Sequence, residues 1–302
     1  MTMPNFFIIG AQKAGTTSLY HYLNQHPQIY MSPVKELFFF NHEITPEGEA
    51  VNRRYGGPGR HSVPRFANIE EYRALFRGVM GETAVGEATT SYIYRPGIAQ
   101  CIKRWVPEAR SIALLRNPAD RAYSAFLHAV RGGREPVNDF ARVLREEKHR
   151  IRDDWSYVNL YRDVGLYYEQ LKCYYEVFGR ERVGVWLYED LRDDPSGVTQ
   201  GVFRFLEVDD AFTPDTFSQY NPAGAPRSEA IRVMMRIINT KLPMVKNVIP
   251  AESWARRAVQ RRILAKPQPI DPEIRRGLIK GYKEDILKLQ ELIGRDLSGW
   301  LQ

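Results

Sequence analysis

Asn5-Phe-Phe-Ile-Ile-Gly-Ala-Gln-Lys-Ala-Gly-Thr-Thr-Ser-Leu19 is the stretch that decides the fold. The apolar run at 6–9 has the length of a fully buried strand. It runs into Gly10, and Gly15 follows five residues later with Thr16, Thr17 and Ser18 behind it. A helical pattern, Leu19, Tyr22 and Leu23, then continues until Pro27 stops it. Strand, glycine-bounded turn, hydroxyls and helix is a layout that aims backbone N–H groups and a helix N-terminus at an anion. Lys13 adds a point charge inside the loop. The plainer alternative is an ordinary strand-to-helix turn carrying an exposed lysine.

The glycine spacing is that of the phosphate loop G-x-x-x-x-G-K-[ST], with one departure. Thr16 stands where the lysine belongs, and the lysine has moved inside the loop to Lys13. The residue that reaches the β- and γ-phosphates of a nucleoside triphosphate is thereby lost. A second apolar run, Ser111-Ile-Ala-Leu-Leu-Arg116, ends in arginine where a triphosphate hydrolase would end it in a metal-binding aspartate. A nucleotide kinase with a displaced lysine remains the alternative enzyme.

Composition sets the outer limits. The chain has 302 residues, 43% of them hydrophobic, enough for a substantial core. No run approaches the ~18 uninterrupted apolar residues of a membrane helix. Met-Thr-Met-Pro-Asn at the start lacks a basic segment followed by an apolar one, so no secretory signal is expected. Two cysteines, Cys101 and Cys173, cannot make a disulfide framework, and a reducing cytoplasm is the expected setting. A net charge of +7 favours anionic ligands; spread over this length it is no nucleic-acid signature.

Taken in order, 28–31 reads as a short strand, followed by Lys35 and Glu36 immediately before Leu37-Phe-Phe-Phe40. A carboxylate against apolar rings has a raised proton affinity, which suits a general base; a surface Lys-Glu pair beside a core-bound Phe run is the alternative. The stretch 42–67, rich in glycine and proline, reads as a lid, a binding loop or a disordered segment. Asn68 caps a helix to about 76. Residues 83–86 and 90–94 read as extended, separated by Glu87-Ala-Thr, and Pro96 starts a helix to about 105. Asn117 and Pro118 open a helix over 119 to about 130. On it Arg121, Ser124 and His128 share one polar stripe, either a second anion pocket or a solvated face. Helices are expected over 138–149, with its charges solvated, and from Tyr167 to Phe178. A third buried strand covers 183–187, and Asp194-Pro195 opens a helix through Leu206. A turn-rich loop spans 219–228, and 231–238 reads as helical. Arg256, Arg257, Arg261, Arg262 and Lys266 could lie on an anionic lipid surface or form a solvated helix face. Asp271 caps a final helix. The strand-loop-helix repeat implies an α/β fold: a P-loop-like, three-layer arrangement with a central, mostly parallel sheet flanked by helices. Residues 1–302 read as a single domain, with a C-terminal helical part from about 227.

Several ordered segments resemble the sulfotransferases that use 3′-phosphoadenosine 5′-phosphosulfate (PAPS). They are Gly10-Ala-Gln-Lys-Ala-Gly-Thr-Thr-Ser18, Lys35-Glu-Leu-Phe-Phe39, Gly86-Glu-Ala-Thr-Thr-Ser-Tyr92 and Leu115-Arg-Asn-Pro-Ala-Asp-Arg-Ala-Tyr-Ser124. Gly165-Leu-Tyr-Tyr-Glu-Gln-Leu171, Tyr188-Glu-Asp-Leu191 and Phe205-Leu206 continue the pattern, which covers most of the chain up to about Ser228. It is most similar to the branch holding the heparan sulfate sulfotransferases and their bacterial relatives.

The resemblance implies a fold, a co-substrate and a set of roles. PAPS has no triphosphate, so neither the missing lysine nor a metal is needed, and its 3′-phosphate asks for a second anion pocket. Gln12, Lys13, Ala14, Gly15, Thr16, Thr17 and Ser18 would hold the 5′-phosphosulfate, with Lys13 stabilising the leaving oxygen. Arg116 and Ser124 would bind the 3′-phosphate, and Arg227 would close over the nucleotide. Glu36 matches the proposed base, and His128 a histidine near the acceptor in N-sulfating members. PAP would be the product. One departure concerns the acceptor: Ala88 stands where several heparan-modifying enzymes carry a lysine. A hydroxylated small metabolite, lipid or saccharide is thus the expected acceptor, with no nucleic-acid partner and with peripheral membrane contact as an option.

Overall fold

The computed structural model describes residues 2–44, 50–51, 66–153, 155–216, 225–226, 264–265 and 268–302. Most of the glycine- and proline-rich 42–67 stretch, Arg227, the expected helix at 231–238 and nearly all of the basic 256–266 stretch lie outside the described residues.

Five strands form one all-parallel sheet: β1 (Phe6–Gly10), β2 (Ile29–Met31), β3 (Ala84–Ala88), β4 (Arg110–Leu115) and β5 (Val183–Leu187), in the order β2-β3-β1-β4-β5. The central strand β1 is sealed on both faces, which is why its sequence is continuously apolar rather than alternating. Phe6, Phe7, Ile8 and Ile9 are wholly buried, each worth about 1.5–3 kcal/mol in apolar area removed from water. Phe6 pairs with Gly86 on β3, where a Cβ would come within 2.1 Å of the Phe6 ring; glycine is required there by proximity alone.

Among the described residues the α-helices are α1 (Thr16–Leu23), α2 (Ile69–Arg73), α3 (Ile98–Trp105), α4 (Pro118–Arg131), α5 (Phe140–Arg152), α6 (Tyr167–Phe178), α7 (Tyr188–Asp193), α8 (Pro195–Leu206) and α9 (Pro272–Ile293). The connection from β1 to β2 travels one way across the sheet, and those from β3 to β4 and β4 to β5 travel the other. Right-handed crossovers running in opposite directions put their helices on opposite faces. Accordingly α1 packs with α8, whereas α3 packs on α6, α6 on α9 and α9 on α4. The loops leaving β1 and β4 diverge at the point where the strand order reverses, and this opens a crevice beyond their C-terminal ends.

Three sequence expectations change. Glu87 lies inside β3 and not in a gap between two extended pieces, because 84–88 pair with β1 and β2 while 90–94 turn away. Arg121 is wholly buried and takes no part in a polar stripe; its Nη2 donates to the Tyr161 carbonyl. Within α5, Glu147 and Arg150 face inward rather than into solvent. Arg150 makes a two-point ion pair with Glu135, Nη1 to Oε2 at 2.7 Å and Nη2 to Oε1 at 3.1 Å, and the Tyr161 hydroxyl donates to the same Glu135 Oε2 at 2.7 Å. The pair fastens the turn that leaves α4.

Glu87 is wholly buried within β3, its Oε2 accepting from the Tyr72 hydroxyl at 2.6 Å. Burial pushes its carboxyl up to about 7; hydrogen bonds from Tyr72, Tyr92 and Thr89 pull the other way, and the charge of Glu36 adds to the rise. The folded chain therefore keeps a proton that the unfolded chain releases near 4.5. Fewer protons are bound unfolded than folded in that window, so stability is lost as pH rises from about 4.5 to about 7. Glu87→Gln should shrink this slope: the stability lost between pH 5 and pH 8, read by urea denaturation, should be smaller in the variant by up to ~3 kcal/mol. Truncating the ion pair is the second check. Glu135→Ala leaves buried Arg150 with only the longer 3.5 Å ion pair to Glu146 among the described residues, and chemical denaturation should register a loss of ~3–5 kcal/mol.

Candidate functional site

The turn 11–15 sits at the end of β1 and is tied across the crevice to β4 by Ala11 N–H donating to the Leu114 carbonyl at 2.7 Å. Gly15 holds φ +89, and a Cβ there would press within 3.1–3.2 Å of Leu191, Tyr188 and Leu114, so the loop closes onto α7 and β4 only with glycine at this position. α2, α4, α5, α8 and α9 each carry a side-chain N-cap, from Asn68, Asn117, Asp139, Asp194 and Asp271. α1 has none. The first N–H groups of an α-helix have no partner within it, and at α1 they belong to the first turn, which also carries the hydroxyls of Thr16, Thr17 and Ser18.

Lys35 joins this loop from the segment after β2. Its Nζ donates to Thr17 Oγ1 at 3.0 Å and lies over the Tyr20 ring, 5.5 Å from the centroid. Thr17 occupies the [ST] position of the phosphate-loop spacing, whose hydroxyl in triphosphate hydrolases holds Mg²⁺. An ammonium group takes that point here. Lys35 was not singled out as a site residue by sequence; its place directly before Glu36 was the available signal. The Lys-Glu pair is half-buried rather than a surface pair.

Arg116 closes the crevice from the β4 side. Its Nη1 donates to the Lys13 carbonyl at 3.2 Å, and its guanidinium lies 4.6 Å from the Tyr188 ring centroid. Asn117 behind it caps α4 through Ala119 and Asp120 N–H and donates to the Trp300 carbonyl. On α4, Ser124, His128 and Arg131 follow at i, i+4 and i+7, on one helix face and all half-buried. Arg131 Nη2 donates to His128 Nδ1 at 3.2 Å. A guanidinium only donates, so Nδ1 is the accepting nitrogen and the ring proton belongs on Nε2. Gln12 is half-buried and Ala14 buried in the same turn; Arg227 lies outside the described residues.

The electrostatics are those of a site built for anions. Burial pushes the Lys13 amine down to about 8, and the charges of Arg131, Arg116, Arg134 and Lys35 push in the same direction. Lys35 is likewise held down at about 8 by burial, against the upward pull of Glu36. Glu36 is raised by burial and drawn back by Lys35, by hydrogen bonds from Thr90 and by Arg134. Its N–H donates to the carbonyl of Ala88, which is itself wholly buried.

The sulfotransferase family model matches residues 4–214. A crystal structure of a sulfotransferase from Alicyclobacillus acidocaldarius superposes with a TM-score of 0.74 at 36% identity, covering the whole of both chains. Mouse carbohydrate sulfotransferase 15 is 26% identical over 250 residues, 68% of this chain and 44% of that protein. Mouse bifunctional heparan sulfate N-deacetylase/N-sulfotransferase 4 is 24% identical over a 313-residue alignment, 99% of this chain and 31% of that protein. The chain thus spans 20–44% of the length of these and other curated relatives, among them a membrane-associated sulfotransferase of Dictyostelium discoideum. Among the described residues, no helix is long and apolar enough to cross a membrane. A matched region that runs from β1 through α8, and a bacterial sulfotransferase alike over its full length, lead to one conclusion: this chain belongs to the sulfotransferase family.

Proposed function

We propose that the chain is a PAPS-dependent O-sulfotransferase. The observation that carries the reading is the crevice between β1 and β4, where Arg116 lies against the carbonyl of Lys13. It sets two cationic positions side by side: the uncapped N-terminus of α1 with its hydroxyls, and a strand-end arginine followed by Ser124. A phosphosulfate and a separate 3′-phosphate on one nucleotide fit that pair. A triphosphate does not, because Lys35 already takes the metal's point on Thr17. That same contact speaks against the kinase alternative.

When bound, PAPS supplies the sulfuryl group, whose bond to the 5′-phosphate oxygen breaks as the acceptor oxygen bonds to sulfur. Glu36 takes the acceptor's proton. Lys13 and the N–H groups of Gly15, Thr16, Thr17 and Ser18 stabilise the charge left on the departing phosphate. Gln12 and Ala14 complete the lining of the loop, and Lys35 neutralises charge at Thr17. Arg116 and Ser124 take the 3′-phosphate; the contact to the nucleotide expected of Arg227 falls on a residue outside the described ones. His128 serves as a donor near the acceptor; Glu36 is preferred as base because Nδ1 of His128 is engaged by Arg131. The acceptor is a hydroxylated small metabolite, lipid or saccharide. The chain acts as one domain, a reading supported by α9, whose Tyr282 hydroxyl donates to the Arg162 carbonyl and whose Arg275 pairs with Asp120. A cytoplasmic setting is supported by Cys101 and Cys173, neither of which is in a disulfide bond.

Calorimetric titration tests the cofactor. PAP should bind equally well with and without magnesium, and Arg116→Ala should weaken it by ~2–5 kcal/mol. Adenosine 5′-phosphosulfate, lacking the 3′-phosphate, should barely notice that substitution; an equal loss for both ligands refutes the assignment. The base is tested by rate. Glu36→Gln should bind PAP normally yet transfer sulfuryl from labelled PAPS to an aliphatic alcohol ~10²–10⁴ times more slowly. A low-pKa phenol, which needs no base, should be transferred at close to the wild-type rate.

A further inference from the structure

Both carboxylate oxygens of Glu36 are held by a single residue. Thr90 Oγ1 donates to Oε1 at 2.9 Å, and the Thr90 N–H donates to Oε2 at 3.2 Å. The backbone is tied to the same segment: Glu36 N–H donates to the Ala88 carbonyl at 2.8 Å, and Leu37 N–H donates to Thr89 Oγ1 at 3.0 Å. Glu36 itself sits at φ +57, in the left-handed region that a glutamate rarely adopts. Four hydrogen bonds from 88–90 therefore fix both the backbone and the carboxylate plane at a sterically uncommon position. Thr90 is itself 6% exposed, so water does not compete for its hydroxyl.

A carboxylate oxygen has two lone pairs. With Thr90 using one on each oxygen, the other remains for an incoming hydroxyl. Hydrogen bonds donated to a carboxylate favour its charged form, whereas burial opposes it. Of the other groups that bear on Glu36, Lys35 and Arg134 favour its charge and Glu87 opposes that charge when ionised; the Tyr157 hydroxyl, whose proton affinity Glu36 raises, shares a side-chain hydrogen bond with Thr90. Of these neighbours, Thr90 alone makes a hydrogen bond to both oxygens among the described residues.

We propose that Thr90 is the positioning residue of the base: it aims the Glu36 carboxylate at the acceptor hydroxyl and holds it in the charged form. This rests on the reading of Glu36 as the base. The experiment uses full-length protein saturated with PAP and carrying ¹³C-carboxyl glutamate, with the Glu36 resonance identified by its loss in Glu36→Gln. In Thr90→Val, and in Thr90→Ala should the valine variant fold poorly, the Glu36 titration should move up by about one pH unit. Thr90→Ser, which keeps the hydroxyl, should restore it. PAP affinity should stay at the wild-type value in all three. With benzyl alcohol as probe acceptor, the acidic limb of kcat should shift by the same amount in Thr90→Val while KM for PAPS is unchanged. A Glu36 titration in Thr90→Val that overlays the wild type overturns the proposal, as does a Thr90→Ser variant that behaves like Thr90→Val. Wild-type transfer to benzyl alcohol by Glu36→Gln overturns the base assignment instead, and the proposal with it.

Discussion

Like charges held close together out of water are the constraint on which the rest of this structure depends. Lys13, Lys35, Arg116, Arg131 and Arg134 bear on one cleft with Glu36 as the carboxylate among them. Such an assembly opposes folding: burial disfavours each ammonium, and every neighbour of the same sign adds to the penalty. It persists because the surrounding framework over-determines it. β1 is fixed between two parallel partners, the turn after it is tied to Leu114, and the turn after α4 is fastened by the wholly internal Glu135–Arg150 pair. An anionic ligand relieves the repulsion, and a ligand that binds only the folded form stabilises it by mass action.

The topology explains why these charges meet where they do. Loops leaving β1 and β4 part in opposite directions, so the space beyond their ends stays open. Each cation enters that space from a different element: Lys13 from the turn, Lys35 from the segment after β2, Arg116 from the tip of β4 and Arg131 from the far end of α4. No single stretch of chain could present so many like charges without repelling itself into an extended form.

How far the sequence discloses this depends on whether the determining contacts are local. The first turn is legible because its requirements are carried by adjacent residues: a buried strand, Gly15 where the backbone closes on Leu191, Tyr188 and Leu114, and hydroxyls at the helix start. Caps from Asn68, Asn117 and Asp271 are legible for the same reason. Glu87 is not, since Thr89-Thr90-Ser91 around it has turn composition and only its pairing with Phe7 places it in a strand. Arg121 occupies helical spacing shared with Ser124 and His128, and nothing in that spacing reveals that Tyr161 receives its guanidinium from forty residues away. Glu135 and Arg150 likewise find each other through tertiary packing. Of the site, the phosphate-loop departure and the strand-end Arg116 could be read directly, while the reach of Lys35 to Thr17 could not, because eighteen residues separate the two.

Arg116 has one further consequence. Before any ligand arrives, its guanidinium already rests between the Lys13 carbonyl and the Tyr188 ring, so little freedom remains to be lost on binding. On the proposed reading, the groups it and the α1 terminus grip belong equally to the charged cofactor and to the spent one, since transfer removes only the sulfuryl. An enzyme so arranged holds its product with nearly the strength it uses for its donor. Its throughput is then governed by how quickly the empty nucleotide escapes, and by how much of it the surrounding medium allows to accumulate.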